Sequence, residues 1–168
     1  MLKKYTAAGV LFTAILGTLM HFLYQWSGEN PVLALFVPVN ESTWEHMKML
    51  FFPMLLFCIA ESLLLWKKYP DLFYAGAAGI LAGLLLIPTI FYTYSGILGR
   101  TCTILDILLF YASVLGGFLV RGRLARRKRR PGVSRWLLIA AVAALTLGFL
   151  VFTRNPPGLG IFKDPLKM

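Results

Sequence analysis

Residues 101–120 read TCTILDILLFYASVLGGFLV, residues 121–135 read RGRLARRKRRPGVSR, and residues 136–153 read WLLIAAVAALTLGFLVFT. Two apolar runs flank a basic one. Each apolar run is close to the roughly 17–25 residues that a helix needs to cross a hydrocarbon core. The apolar positions are continuous rather than alternating, and only helices or closed barrels satisfy their backbone groups inside lipid, so the runs read as helices. Upstream the same pattern recurs three times, over 5–26, 41–66 and 72–94. The chain is therefore expected to be all-α, a single membrane domain of five transmembrane helices over 5–26, 41–66, 72–94, 101–120 and 136–153. Composition agrees. Of 168 residues, 58% are apolar and 14% charged, and the mean hydropathy is +0.73. A soluble domain is about half apolar and a quarter charged, so an ordinary globule, a disordered chain and a disulfide-rich module are excluded.

The basic run sets the expected direction. It holds eight of the seventeen Lys and Arg residues of a chain with a formal charge of +10. With the N-terminus inside, Lys3, Lys4, Lys67, Lys68 and the basic loop 121–135 share one face, and Arg100, Arg154, Lys163 and Lys167 share the other. This bias predicts a cytoplasmic N-terminus, an extracytoplasmic C-terminus and an outer tail over 154–168. The loop is also expected to touch anionic lipids of the bilayer. Nucleic acid is not an expected partner, because the run lacks interleaved aromatic or groove-reading residues. The first span is too long for a signal-peptide core and no small-x-small cleavage site follows it. Cys58 and Cys102 form no CxxC and read as membrane-buried thiols. Gly76, Gly79 and Gly83 form a small-residue stripe, and Gly116 and Gly117 sit in the fourth span, both suited to close helix packing.

Polar residues gather toward the predicted outer side. The second span opens NESTWEHMK over 40–48, where Asn40 or Ser42 suits a helix cap and Ser42 with Glu45 has capping-box spacing. That explains Asn40, Glu41 and Ser42, but not Glu45, His46 and Lys48 together. Glu45 and Lys48 share a stripe and are placed to pair, whereas His46 points about 100° from Glu45. Thr18, His21, Tyr24 and Gln25 follow one face of the first span, and Asp106 lies near the start of the fourth. His21, Glu45, His46 and Asp106 thus fall within about 10 Å of the outer boundary. Ionisable groups at such depth are costly and point to function. Glu61 is nearer the inner end, where Lys67 or Lys68 is expected to neutralise it.

The expected result is an outward-facing polar pocket of His21, Asn40, Glu41, Glu45, His46 and Asp106, with Lys48, Tyr92 and Arg100 as secondary members, binding a small polar ligand, a metal or a lipid headgroup. Three chemistries fit. His21, His46, Glu45 and Asp106 offer ligands for zinc or another divalent metal, with Glu45, His46 or Asp106 as acid–base catalysts of an enzyme. The same groups could carry protons or a solute. They could also form a buried network that only locks the helices. No HExxH, serine triad, P-loop or GxGxxG selects among them. The segment SGENPVLALFVPVN over 27–40 is too short and Pro-broken to span, and is expected to lie over the bundle mouth. The tail carries an apolar patch over 159–162 and is expected to fold back, partly burying Ile161 and Phe162.

NESTWEHMKMLFFP over 40–53, HFLYQWSG over 21–28 and NPPGLGIFKDP over 155–165 together resemble a bacterial family of small polytopic membrane proteins of unknown function. The tail departs from the family's LFxDP-like ending in having Gly160-Ile161-Phe162. The resemblance covers the whole chain and implies an inner-membrane protein. It transfers no catalytic role.

Overall fold

The computed structural model describes residues 1–127 and 133–165. Five helices follow in order: α1 Leu2–Trp26, α2 Thr43–Leu65, α3 Leu72–Leu98, α4 Thr103–Leu124 and α5 Val133–Phe152. Two single 3₁₀ turns, Leu33–Leu35 and Gly160–Phe162, sit in the segments before α2 and after α5. All five helices are long and apolar enough to cross a membrane, so the fold is that of a multi-pass membrane protein. Lys128, Arg129 and Arg130, on which much of the expected anionic-lipid contact falls, lie outside the described residues, as does Lys167.

Helix ends differ from the expected ones for local reasons. Ser42, in extended conformation, caps α2 by accepting from the Glu45 amide at 3.3 Å. Glu41 therefore precedes the helix rather than opening it. α3 runs to Leu98, past Tyr94, because its hydroxyls are absorbed within the helix. Thr93 and Ser95 donate to the carbonyls of Thr89 and Phe91, each at 2.6 Å. Gly99, at φ 65°, then ends α3 in the left-handed conformation that glycine adopts without strain. α4 continues to Leu124, because the basic residue Arg121 turns into the bundle instead of marking its edge.

The glycine stripe brings α3 and α4 together. A Cβ at Gly79 would lie 2.6 Å from the Gly117 carbonyl oxygen, and one at Gly117 would lie 2.8 Å from that of Gly79. One turn on, a Cβ at Gly83 would meet the Ser113 carbonyl at 3.0 Å. α1 uses the same device, with Gly17 against the Met49 backbone of α2. Leu50, Phe51, Met54, Ile80, Val114 and Phe118 fill the centre and are fully buried. Leu11, Ile15, Leu63, Leu85, Leu115 and Leu147 point outward and are exposed, the arrangement of a surface bathed in lipid. Gly79→Leu should force the helices apart and cost about 1–3 kcal/mol. Thermal unfolding in detergent should show the loss, and Gly96→Ala, where a Cβ meets nothing within 4 Å, should not.

Two expectations about individual residues change. Glu61 is not neutralised by Lys67 or Lys68. It is buried and ion-paired with the equally buried Arg121, whose guanidinium also donates to Thr6 Oγ1 at 2.9 Å. The close approach of Gly79 and Gly117 carries Arg121, one turn past Gly117, into the interior beside Glu61. Cys58 is buried as expected, but Cys102 stands half-buried at the α4 N-cap, outside the helix proper.

Candidate functional site

The start of α2 sends neighbouring residues in opposite directions. Glu45 and Lys48 share one side, and each is almost wholly buried. Lys48 Nζ lies 2.6 Å from Glu45 Oε2 and 2.5 Å from Thr153 Oγ1. It also approaches the carbonyls of Ala34 and Val37, at 3.0 and 3.3 Å. Glu45 in turn accepts from the Val39 amide at 3.1 Å and from Thr153 at 3.2 Å. One buried ion pair thus ties the 27–40 segment, the start of α2 and the end of α5 into a knot. It satisfies the carbonyls of a segment that is irregular at the rim of the bundle, as buried backbone requires.

His46 points the other way. Its Nδ1 lies 3.1 Å from the Ser42 carbonyl, one turn back. A carbonyl only accepts, so Nδ1 is the donor in this contact, and in the neutral ring the lone pair is then on Nε2. Nε2 faces Glu41 Oε2 at 3.4 Å. His21 arrives from α1 with its Nε2 4.0 Å from Glu41 Oε1, and its ring centre is 5.3 Å from that of His46. The His21 Nδ1 atom is buried and has no hydrogen-bond partner among the described residues. Asn40 shapes the approach, accepting from the Ser42 amide at 2.9 Å. His21, Glu41 and His46 are all half-buried, and one ligand-type atom of each lies within 4.8 Å of the other two. A cavity of about 40 Å³ adjoins them, lined by His21, Tyr24, Gln25, Asn40 and Glu41. That is room for one or two waters.

The expected polar layer therefore divides. The carboxylate brought to the two histidines is Glu41. Glu41 was expected in the pocket; Glu45 and Asp106, the two carboxylates expected there as metal ligands, go elsewhere. Glu45 is consumed by Lys48, because one residue along a helix turns a side chain by about 100°. Asp106 accepts from Tyr94, which joins the adjoining ends of α3 and α4. Tyr92 accepts from Thr43 Oγ1 at 3.3 Å and so braces α3 on α2. Arg100 is exposed in the turn between α3 and α4. Sequence reasoning missed Thr153, whose hydroxyl reads as an ordinary span end. It also missed the pairing of Arg121 with Glu61.

The tail packs beside this region. Phe162 lies 4.8 Å from Trp44 and 5.5 Å from Phe152 between ring centres, and Ile161 packs against the core. Trp44 also contacts Phe149 at 4.5 Å. Phe162→Ala should remove roughly 1–2 kcal/mol of aromatic burial. Limited trypsin cleavage after Lys163 should then become several-fold faster, through more frequent local opening.

No curated protein and no solved structure matches the chain. A family model described as "Family of unknown function (DUF6512)" matches residues 1–167, and the chain belongs to that family.

Proposed function

We propose that this is a bacterial plasma-membrane protein with a cytoplasmic N-terminus and an extracytoplasmic C-terminus. Its working part is a polar pocket at the outer rim, where His21, Asn40, Glu41 and His46 bind a small polar ligand. The direction rests on the Lys and Arg bias of the inner loops. The observation that carries the pocket is the convergence of His21 from α1 with Glu41 and His46 from the start of α2 beside a cavity. A network whose only task is to lock helices is sealed and satisfied, as the Glu45–Lys48 knot is. The histidine cluster is half-exposed and leaves His21 Nδ1 unpaired among the described residues. An enzyme is the second reading. It is favoured by the anchoring of His46 Nδ1 on a carbonyl, which presents Nε2 as a positioned base.

Native mass spectrometry of the tag-free protein in detergent tests binding. A small bound species should accompany the wild type and the Glu29→Gln control, and be lost in His21→Ala and His46→Ala. Equal occupancy in all four would sink the pocket. Direction is tested by Gln25→Cys and Lys67→Cys, each in a Cys102→Ser background. An impermeant maleimide added to intact cells should label the first at once and the second only after permeabilisation. The reverse order would turn the rim to the cytoplasm.

A further inference from the structure

We infer that the pocket's ligand is a divalent transition-metal ion of the zinc class, held by His21, Glu41 and His46; this rests on the pocket reading above. Two imidazoles and one carboxylate form a donor set that suits zinc and its first-row neighbours rather than magnesium or calcium, which prefer oxygen alone. Three protein ligands leave a position open, as in zinc sites that hold a water or a substrate.

The geometry is near to what such an ion needs. Ligand atoms about 2.0–2.1 Å from a tetrahedral ion lie roughly 3.3–3.4 Å from one another. Glu41 Oε2 and His46 Nε2 stand 3.4 Å apart, the other Glu41 oxygen and His21 Nε2 stand 4.0 Å apart, and one ligand atom from each of the three residues lies within 4.8 Å of the other two, so the ligands must draw together by up to about 1.5 Å. Closing the remaining gap requires little from Glu41, which precedes α2 and is not held by helix geometry. His46 has the outer support typical of a metal ligand, since its other ring nitrogen is fixed on the Ser42 carbonyl. The cavity beside Gln25 and Asn40 gives the fourth position room for water. The nearby cation Lys48 does not oppose the ion, because Glu45 pairs with it on the other side of α2. A bound ion would also join α1 to the start of α2 through side chains alone.

The test is zinc binding by the tag-free, chelator-stripped protein in detergent. Calorimetry with zinc alone, checked by elemental analysis, should find one tight site per chain. His46→Ala and His21→Ala should weaken it at least about 100-fold, and Glu41→Gln at least about 10-fold. Cobalt should give a visible ligand-field spectrum in the wild type and none in His46→Ala. Glu41 lies outside the helices, so Glu41→Gln retains the fold and keeps the test decisive if a histidine variant fails to fold. Equal zinc affinity in Glu41→Gln and wild type, or no stoichiometric zinc in the wild type, overturns the inference. A non-metal adduct by mass spectrometry without zinc binding would overturn the metal and leave the pocket. Loss of both would overturn both.

Discussion

Lys48→Met should destabilise the protein by about 3–5 kcal/mol, the usual effect of breaking a buried ion pair by removing one partner. Lys48 is completely buried and Glu45 is 2% exposed, so water cannot take over the lost contact. Among the described residues the substitution leaves the Glu45 carboxylate with the Val39 amide and a Thr153 hydroxyl whose one proton also faces the Phe149 carbonyl at 2.6 Å. It also leaves the carbonyls of Ala34 and Val37 without their donor. In a chain of this length the thermal midpoint should fall by on the order of 10 °C. The loss should be local as well as global. Hydrogen exchange over residues 33–39 should accelerate more than exchange in α3, because the knot is what holds that segment down. Adding Glu45→Gln should recover part of the stability, since it removes the uncompensated charge. A Lys48→Met protein as stable as wild type would mean that the pair is not closed to solvent.

Arg121→Met should have an effect of similar size at the other end of the bundle, again about 3–5 kcal/mol. Arg121 is fully buried and Glu61 2% exposed. A carboxylate left alone inside a membrane bundle must either stay charged at high cost or take up a proton. Here the double substitution is the informative experiment. Arg121→Met with Glu61→Met replaces a desolvated ion pair by apolar packing, which often restores or even raises stability. Thermal unfolding in detergent should therefore rank the double variant well above the Arg121→Met single variant. Additive losses in the double variant would show that the side chains act separately. That would contradict the ion pair as the source of the effect.

The legible part of the site was its chemistry more than its grouping. The segment Asn40–Lys48 announces a capped helix start, and Ser42 does cap α2. Glu45 and Lys48, three apart, were readable as a pair, and they pair. Glu41 was readable as polar and near the rim, but not as the acid that meets both histidines. Its position depends on how the 27–40 segment is pulled down by Lys48, which joins residues 14 and 11 positions apart in sequence. Asp106 looked equivalent to Glu45 in depth. Depth alone does not say which way a helix is turned, and Tyr94 takes Asp106.

The sequence by itself determined five apolar helices and the cap of α2, together with the two sets of glycines. These are local properties, written in run length and in the bonding needs of a few neighbouring residues. Only the tertiary structure decided who meets whom: Arg121 rather than Lys67 for Glu61, Glu41 rather than Glu45 for His46, and Thr153 for Lys48. Those choices follow from the rotation and register of whole helices. Contacts such as Gly79 on Gly117 set that register, at positions far along the chain from the charges they bring together.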